Sequence, residues 1–600
     1  MGGAFQSSDS SRTNGPRPHA RTMTFDEPLA LQLGGELAPV TVCYETYGTL
    51  SERRDNAVLI CHALSGDAHV AAHDPGDAPG WWDIAVGPGK AIDTDRYFVL
   101  CANVLGGCYG TTGPGSTDPA TGEPYGAEFP AITIADMVEL QRRLIDALGI
   151  ERLLAVIGGS MGGMQVLQWA AAYGDRVRAA VPIATTHRLT AQALAFDVVG
   201  RNAIRSDPAF RGGRYYGRRD GPADGLALAR MIGHITYLSR QSMDEKFDAD
   251  RHEPRPVAYA YESRYSVGSY LAYQGGRFVE RFDANTYITL SMAMDAFDLG
   301  AAHGSLNAAL KRATCRWLVV SFDSDWLFPP AQSRQLVNAI IAAEQPVTYC
   351  NIPTQCGHDA FLLADDLDMY GGLVEAFLAR TLNGTIDDGA AGWHLHTDVR
   401  SIFHDNRVDL DRIMALIPAG VGVLDLGCGD GELMSRLRRR GTRDLLGVEL
   451  NGEAILTCAR RGLDVVQHDL RDGLAPFRDR QFEIVLLSQT LQTVLRPDRL
   501  LLEMLRVGEK GIVSFPNFGH RDCRRQLAEE GISPVTGGLP FTWYASPNVR
   551  FLSIRDFESL CVELGIRIHR RIALDTAAGC EVHDDPNLNA DMAIFLLSRG

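Results

Sequence analysis

The stretch "AVIGGSMGGMQVLQWA", residues 155–170, places one serine, Ser160, among four glycines. The apolar run before the serine is typical of a strand that is buried on both faces, and the residues after it have a helical pattern. A serine on a tight turn between a strand and a helix needs small neighbours, because larger ones would collide with the backbone. The stretch therefore predicts either a nucleophilic serine on a strained turn or a glycine-rich loop that merely contains a serine.

The segments around this turn alternate between strand and helix patterns. "AVLICHALSG" (57–66), "YFVLCANVLGG" (97–107) and "RWLVVSFDSDWLFPP" (316–330) have the composition of strands that end in turns. "ITIADMVELQRRLIDALGI" (132–150) has apolar residues three and four positions apart, which predicts a helix. This alternation is typical of an α/β fold with a mostly parallel sheet.

Composition divides the chain into segments. Residues 1–20 are polar and are expected to be disordered, and residues 21–382 carry the first α/β pattern. Within them, residues 186–300 are rich in Arg, Tyr and Met and predict a helical lid inserted over the sheet. Residues 383–402 have the composition of a linker, and a second α/β pattern occupies residues 403–600. Because the two patterns share no fixed period, they indicate two fused domains and not a repeat.

Charge and cysteine usage exclude several classes of protein. The formal net charge is −16 and is spread along the chain, which argues against a nucleic-acid partner. The twelve cysteines form no C-x-x-C pair, so we expect neither a disulfide framework nor a metal site. The N-terminus lacks an apolar signal sequence, and no run reaches the roughly 20 apolar residues of a membrane span. We therefore expect a cytoplasmic protein that does not bind membranes.

Two further residues give Ser160 the chain order of a hydrolase triad, which is serine, acid and then histidine. Asp325 follows the predicted strand "WLVVSF", and His358 lies in "QCGHDAFL" after the next strand. His358 is the predicted general base, and the acid would orient its ring and stabilise the imidazolium. Asp323 is an alternative acid on the same loop.

An oxyanion needs two backbone donors beside the serine. The residue after the nucleophile, Met161, can offer its N–H at the start of the helix, and an early strand-to-turn segment should supply the second. "LICHALSGDAH" fits that segment, with the N–H of Leu64 as the candidate.

Five motifs carry a resemblance to a known family: "CHALSGDAH", "GGSMGGMQ", "GLALARMIGHITYLS", "DWLFPP" and "GHDAFL". Together, over about residues 20–382, they resemble the homoserine O-acyltransferases of the MetX type, which belong to the α/β-hydrolase superfamily. The resemblance implies an α/β-hydrolase fold with a helical lid, and a dimer formed through that lid. It also implies transfer of an acyl group from acyl-CoA to the side-chain hydroxyl of L-homoserine, a step toward methionine.

The same resemblance assigns site residues. It implies that Ser160 is the acylated nucleophile, and the spacing to Pro329 favours Asp325 over Asp323 as the acid. It further implies that Arg230 and Asp359 contact homoserine. That pairing is chemically sensible, because an amino acid needs a cation for its carboxylate and an anion for its ammonium group.

Tyr237, on the same predicted helix as Arg230, is a further candidate for the homoserine pocket. Leu327 concerns the acyl donor, because the resemblance suggests that succinyl-specific relatives often have arginine there. A leucine cannot pair with a succinyl carboxylate, whose unpaired burial is costly. We therefore expect a ping-pong acetyl transfer from acetyl-CoA. A succinyltransferase and a plain esterase or thioesterase are the alternatives.

A second glycine-rich turn, "VLDLGCGDGEL" at residues 423–433, follows another predicted strand. Its glycines would let the backbone approach a nucleotide-type ligand, and an acid about 20 residues further on would bind ribose hydroxyls. The acidic residues at three successive strands and the G-x-G-x-G spacing favour a Rossmann-like class I methyltransferase fold over an NAD-binding one. The predicted ligand residues are Asp425, Gly427, Gly429, Gly431, Glu449 and Asp469.

Residues 403–598 as a whole resemble the methionine biosynthesis protein MetW, including "VDLDRIMALIPAGVGVLDLGCGDGEL" and "SFPNFGHRDCR". The resemblance makes S-adenosylmethionine a possible ligand of this domain. Three roles stay open: an active methyltransferase, a ligand-binding regulator of the fused acyltransferase, or a structural support for it.

Overall fold

A computed structural model describes residues 17–247, 266–384 and 408–600. The chain forms two compact units, one comprising Met1–Gln345 and Asn351–Gly384, the other Pro346–Cys350 and Thr385–Gly600. Most of the N-terminal segment and the linker expected from the sequence therefore lie outside the described residues.

The first unit contains a twisted sheet with a parallel centre. Its first two strands pair antiparallel with each other, and the second pairs antiparallel with the third, whereas the remaining neighbours pair in parallel. In spatial order the strands are Arg21–Phe25, Val40–Tyr47, Phe98–Ala102, Ala57–Cys61, Ala155–Gly159, Ala179–Ile183 and Arg316–Phe322. Short strand pairs are Leu29–Ala30 with Glu36–Leu37, and Val86–Gly87 with Ile92–Asp93. The predicted parallel α/β sheet is confirmed.

Helices pack on this sheet where the sequence has apolar residues at helical spacing. They are Ile134–Ala147, Met161–Ala172, Pro330–Ala342 and Leu367–Asn383. The helix predicted over residues 132–150 begins later than expected, because Thr133 and Asp136 form a capping box that satisfies its first N–H groups. The strand Val347–Ile352 leads into the loop that carries His358.

Between the strands Ala179–Ile183 and Arg316–Phe322, the described residues are mostly helical, and residues 248–265 of the lid predicted over 186–300 lie outside them. The helices are Ala191–Ser206, Ala223–Tyr237, Arg240–Phe247, Ser266–Val279, Ala284–Asp295, Leu299–His303 and Leu306–Leu310, with a 3₁₀ segment at Pro208–Gly213. Several of them supply residues to the cavity beside Ser160, which gives the insertion its relevance to function.

The second unit has its own sheet, parallel through its first five strands and antiparallel at its last ones. In spatial order the strands are Val465–Gln467, Leu445–Glu449, Val423–Leu426, Phe482–Ser488, Gly508–Pro516, Met592–Arg599, Ile566–Asp575 and Cys580–Glu581. Its α-helices are Val408–Leu416, Glu432–Arg439, Gly452–Arg460, Pro497–Val507, Arg521–Arg525, Ile554–Glu563 and Pro586–Asn589. Aliphatic side chains from the strands Val423–Leu426 and Met592–Arg599 meet in its core.

Among the helices of the described residues, none combines the length and the apolar character that crossing a membrane requires.

Candidate active site

Ser160 lies on the turn between the strand Ala155–Gly159 and the helix Met161–Ala172. Its backbone has φ 58° and ψ −124°, a conformation that costs energy in any residue with a side chain. A Cβ on Gly162 would lie 2.0 Å from the carbonyl oxygen of Cys61, and one on Gly158 would lie 2.5 Å from the backbone of Gly162. The glycines around the serine thus make room for the protein's own backbone.

Ser160, His358 and Asp325 form a continuous chain of hydrogen bonds. The hydroxyl of Ser160 donates to Nε2 of His358 over 2.9 Å, and Nδ1–H of His358 donates to Oδ2 of Asp325 over 2.8 Å. All three side chains are buried. The other oxygen of Asp325 accepts the N–H groups of Leu327 and Phe328 at 3.0 and 2.9 Å, so the carboxylate cannot rotate freely.

Asp323, the alternative acid, faces a different part of the loop. Its carboxylate accepts the N–H of Thr354 at 2.8 Å and is exposed. The structure therefore brings Asp325, and not Asp323, to the histidine.

Two opposing effects act on the pKa of His358. Burial lowers it, but the charge of Asp325 and the hydrogen bond to that carboxylate raise it, and the balance is upward from the ordinary value. An imidazole with a raised pKa is a stronger base toward the serine hydroxyl. The geometry and the pKa shift together fit a general base.

The N–H groups of Leu64 and Met161 are available beside the serine. Leu64 lines the same cavity as Ser160, and Met161 is the first residue of its helix, where an N–H has no intrahelical acceptor. Among the described residues, neither N–H donates to a protein acceptor. Both predicted oxyanion donors are therefore free to receive a developing negative charge.

His62 shapes the turn that carries Leu64, a function that the sequence did not indicate. Its Nδ1–H donates to the carbonyl of Ala63 at 2.8 Å, and its Nε2 accepts the N–H of Val104 at 3.0 Å. Burial lowers the pKa of His62, so the ring stays neutral and keeps both bonds.

A small cavity of about 40 Å³ lies directly against Ser160. Three residues that the sequence predicts as site residues line this cavity: Leu64, Tyr237 and Leu327. The other lining residues come mostly from the helical insertion, and they are Leu189, Ala193, Phe196, Asp197, Ile232, Gly233, Thr236, Tyr287, Met294 and Phe328. The cavity is predominantly apolar, as a site for a short acyl chain should be.

Arg230, Tyr237 and Asp359 surround the triad histidine. The guanidinium of Arg230 lies 5.3 Å from the ring centre of Tyr237, whose ring is 6.0 Å from that of His358. Burial raises the pKa of Asp359, while the charges of His358 and Arg230 lower it. The predicted cation and anion for an amino acid are thus both half-buried, and they are close enough for the charge of Arg230 to act on Asp359.

Asp197, in the cavity wall, is another residue that the sequence did not indicate. Burial and the nearby carboxylate of Asp295 raise the pKa of Asp197 well above its ordinary value. Asp295 in turn forms an ion pair with the buried Arg201. These residues are far apart along the chain, and no local spacing connects them.

The end of the helix Ala223–Tyr237 holds both loops of the triad. The carbonyl of Leu238 accepts Nε1–H of Trp326 at 3.0 Å, and the hydroxyl of Ser239 donates to the carbonyl of Gln355. A Cβ on Gly357 would lie 2.5 Å from the backbone nitrogen of Ser239, so the histidine loop packs directly on this helix end.

In the second unit, Gly427, Gly429 and Gly431 all have positive φ, at 72°, 56° and 79°. No atom lies within 4 Å of a Cβ built on Gly429, so open space faces the middle of this loop. The N–H of Gly429 donates to Oε2 of Glu449 at 2.9 Å. The loop and the predicted ribose acid therefore border the same crevice.

The acids of this crevice keep capacity for a ligand. Oε1 of Glu449 accepts the N–H groups of Leu450 and Asn451 at 2.8 and 3.0 Å, whereas among the described residues Oε2 accepts only the N–H of Gly429 and can still accept a hydroxyl. This remaining capacity is compatible with a ribose hydroxyl.

Asp425 is buried within the strand Val423–Leu426. Asp469 lies two residues beyond the strand Val465–Gln467 and caps the 3₁₀ turn Leu470–Asp472. Its carboxylate accepts the N–H and the guanidinium of Arg471, and that hydrogen bonding holds its pKa below the ordinary value.

Two family models match the chain. The description "alpha/beta hydrolase fold" covers residues 56–365, and "Methionine biosynthesis protein MetW" covers residues 407–597. The fold and the serine turn agree with the first match, so the class of the protein is an α/β hydrolase joined to a MetW domain. This confirms the predicted fold class.

A relative that is similar in sequence over nearly the whole chain identifies the family within that class. The chain is 50% identical over 608 residues to the "Bifunctional methionine biosynthesis protein MetXA/MetW" of Rhodopirellula baltica, covering 99% of this chain and 96% of the relative. The chain belongs to the family of these bifunctional MetXA/MetW proteins, and the predicted resemblance is confirmed.

The first unit alone has further relatives with two different names. A homoserine O-acetyltransferase of Solidesulfovibrio magneticus and a homoserine O-succinyltransferase of an Azoarcus species are each 52% identical over 364 residues. Each alignment covers 60% of this chain, with 90% and 96% of the relative. The crystal structure of homoserine O-acetyltransferase from Bacillus anthracis, 30% identical, matches 60% of this chain and 97% of its own with a TM-score of 0.55. The chain is thus similar to acyltransferases.

Proposed function

We propose that the first unit transfers an acetyl group from acetyl-CoA to the side-chain hydroxyl of L-homoserine, with Ser160 as the acylated nucleophile. The observation that carries this proposal is the chain of hydrogen bonds from Ser160 through His358 to Asp325. Membership in the MetXA/MetW family supports the substrate class.

In the first stage, the hydroxyl proton of Ser160 passes to Nε2 of His358 as Oγ bonds to the thioester carbon. The N–H groups of Leu64 and Met161 stabilise the oxyanion. The carbon–sulfur bond then breaks, and the proton on His358 passes to the thiolate, so that CoA leaves as a thiol. Ser160 now carries the acetyl group as an ester.

In the second stage, homoserine is the acceptor. Its hydroxyl proton passes to Nε2 of His358 while the hydroxyl oxygen attacks the ester carbon. The bond between that carbon and Oγ of Ser160 then breaks, and His358 returns the proton to Oγ. Arg230 would bind the carboxylate and Asp359 the ammonium group, with Tyr237 beside both. Such orientation is what favours transfer over hydrolysis, because water has no comparable binding groups.

The lining of the cavity favours acetyl over succinyl. No lysine, arginine or histidine is among the described residues that line it, and Leu327 and Asp197 contribute an apolar and a carboxyl group. A succinyl carboxylate there would be buried without a cation, which is unfavourable. Overall sequence identity does not indicate the acyl donor, because the relatives named as acetyltransferase and succinyltransferase are both 52% identical to this chain.

The test compares acetyl-CoA and succinyl-CoA as donors for the purified chain, with and without L-homoserine. We expect CoA release beyond one equivalent per chain to require homoserine and to yield O-acetylhomoserine, with acetyl-CoA preferred. Leu327→Arg should raise kcat/KM for succinyl-CoA at least tenfold. A wild-type preference for succinyl-CoA would contradict the donor assignment, and continued turnover of the thioester without homoserine, beyond one equivalent of CoA per chain, would favour the esterase or thioesterase alternative.

We also propose that the second unit binds S-adenosylmethionine along Gly427, Gly429 and Gly431, with Glu449 on the ribose, and that binding regulates acyl transfer. The open space at Gly429 supports a ligand at this loop. Because S-adenosylmethionine is made from methionine, it is a reasonable end-product signal. Titration of S-adenosylmethionine into the acyl-transfer assay tests this: an unchanged rate at saturating ligand removes regulation and leaves methyl transfer or structural support.

The helical insertion is the proposed dimer interface. Apolar side chains are exposed on four of its helices, and they are Val198, Val199, Leu228, Ile235, Tyr273 and Met292. Exposed apolar residues of this density are typical of protein–protein contacts. Light scattering should give the mass of a dimer for the chain and that of a monomer for Leu228→Glu.

A further inference from the structure

A cluster outside the proposed catalytic site brings together Glu45, His69 and His73, here called the His–Glu cluster. Glu45 belongs to the strand Val40–Tyr47, and both histidines lie in the loop after the strand Ala57–Cys61. Oε2 of Glu45 is 2.9 Å from Nδ1 of His69 and 2.9 Å from Nε2 of His73. Three potential ligand atoms thus converge within 4.8 Å of one another.

Glu45 is 0% exposed, and the surroundings of its two oxygens are unequal. Oε2 is shared by both histidines and by the hydroxyl of Tyr47, which donates to it at 2.7 Å. Oε1 is buried and has no partner among the described residues. A buried carboxylate oxygen without a partner is costly, so the hydrogen bonds of Glu45 do not fully compensate its burial.

We propose that the His–Glu cluster is a binding site for one divalent transition-metal ion, with Zn²⁺ as the fitting species. Two imidazoles and one carboxylate are a donor set that zinc accepts, with a fourth position open to water. Calcium and magnesium prefer sites made of oxygen atoms alone, so the two nitrogens select against them.

The neighbours of the cluster hold its ligands as the second shell of a metal site does. Nε2 of His69 lies 2.8 Å from the carbonyl of Ala78, which fixes the ring proton on Nε2 and leaves Nδ1 to bind a metal. The hydroxyl of Tyr47 orients the carboxylate of Glu45 in the same way. Such hydrogen bonds orient a ligand before the ion arrives.

The spacing of the ligand atoms and the exposure of the His–Glu cluster also suit a zinc ion. Ligands at about 2.1 Å from a tetrahedral zinc are about 3.4 Å apart, so the contacts of 2.9 Å need to open by about half an ångström. The side chain of His73 is 20% exposed, whereas that of Glu45 is fully buried. An ion can therefore enter from the side of His73 without unfolding the strand.

The competing occupant is a proton. The hydrogen bond to Glu45 raises the pKa of His69 to about 9, so without a metal an imidazolium can face the carboxylate. In that state His69 donates through both ring nitrogens, and the cluster is a buried ion pair that ties the loop to the strand. Direct metal binding distinguishes the two occupants.

The experiment uses the full chain with Cys580→Ser, because Cys580 is an exposed thiol and thiolates are zinc ligands that would compete in the titration. After treatment with a chelator and desalting, the protein is titrated with Zn²⁺ against a chromophoric chelator, and with Co²⁺ by absorption. We expect one ion per chain, a Co²⁺ spectrum without thiolate bands, and a Tm that rises with Zn²⁺ concentration. Activity is not needed as a readout.

Two variants and one control locate the ion. His73→Ala, which changes the most accessible ligand, should weaken Zn²⁺ binding at least tenfold, and Glu45→Gln should do the same. His583→Ala changes an exposed histidine elsewhere and should bind as the parent does. The proposal is overturned if less than one ion binds, or if His73→Ala, folded by circular dichroism, binds as tightly as the parent.

Discussion

The two glycine-rich turns of this chain resemble each other in sequence but differ in what their glycines accommodate. At "GGSMGG" the nearest atoms belong to the protein, with the carbonyl of Cys61 2.0 Å from the place of a Cβ on Gly162. At "GCGDG" the three glycines have positive φ, and open space faces Gly429. The strained residue of the first turn is the serine itself, with φ 58°.

This difference separates two uses of glycine after a strand. In the first turn glycine permits close packing, so that a side chain with a strained backbone is aimed into a cavity. In the second turn all three glycines provide left-handed backbone, but only Gly429 leaves an uncovered surface, because a Cβ on Gly427 or Gly431 would lie 2.5 Å from Thr490 or 2.4 Å from Leu463. The number of glycines in a turn cannot distinguish these two uses. The effects of substituting single residues on stability, activity and ligand binding can distinguish them.

The largest expected effect comes from the first turn. Ser160→Ala removes the nucleophile without adding volume, so we expect kcat for acetyl transfer to fall by at least about 10⁴-fold. The measurement is CoA release with homoserine present. Cys428→Ala, in the second turn, is the matched control and should leave acyl transfer within about twofold. Activity retained in Ser160→Ala would exclude the proposed mechanism.

A matched pair of alanine substitutions should separate the turns by stability. Gly162→Ala places a methyl group against the carbonyl of Cys61 and should destabilise the first unit by about 3 kcal/mol or more. Gly429→Ala meets no atom and should cost only the left-handed backbone strain, about 1 kcal/mol. Urea unfolding of each full-length variant measures both, and equal losses would contradict the comparison.

The second turn should respond more strongly in ligand binding. Glu449→Gln keeps the shape of the side chain but removes the charge that would accept ribose hydroxyls. We expect the Kd for S-adenosylmethionine to rise about 10- to 100-fold, as for a lost charge-assisted hydrogen bond. Calorimetric titration checks this. Glu453→Gln, on the neighbouring helix Gly452–Arg460, is the control.

The smallest effect concerns pH. Because the pKa of His358 is raised above its ordinary value, the neutral base is lost as pH falls through that raised pKa. The acid limb of kcat/KM for acetyl-CoA should therefore lie above the usual histidine value of about 6.5. Asp325→Asn removes the charge that raises the pKa, so the residual activity should have its acid limb at lower pH. An unchanged limb would mean that another group titrates.

The sequence predicted those features that depend on residues close together in the chain or on a known order of motifs. The strand, serine and helix of the first turn are contiguous, and Asp325 and His358 each follow a strand in an order that a known class of site requires. The choice of Asp325 over Asp323 rested on the resemblance, and the position of the carboxylate now supplies its physical reason, because two backbone N–H groups hold it.

Contacts between distant segments could not be predicted in this way. Asp197 meets Asp295 across two helices of the insertion, and Glu45 meets His69 from a strand separated by a loop. The only local signal in the second case is the spacing His69-x-x-x-His73, which has no meaning until the carboxylate is known. Asp469 lies two residues beyond the strand Val465–Gln467 and caps the following 3₁₀ turn, a contact that the strand pattern does not indicate.

The end of the helix Ala223–Tyr237 joins acceptor recognition to the proton relay. Its last turn carries Tyr237, while the next residues hold Trp326 on the acid loop and Gln355 on the histidine loop. A displacement of this helix end would move the acid and the base together, and would uncouple them from a serine whose position is fixed by the sheet. Because one helix end contacts both loops, a single element of the insertion sets the position of the acid and of the base relative to the serine.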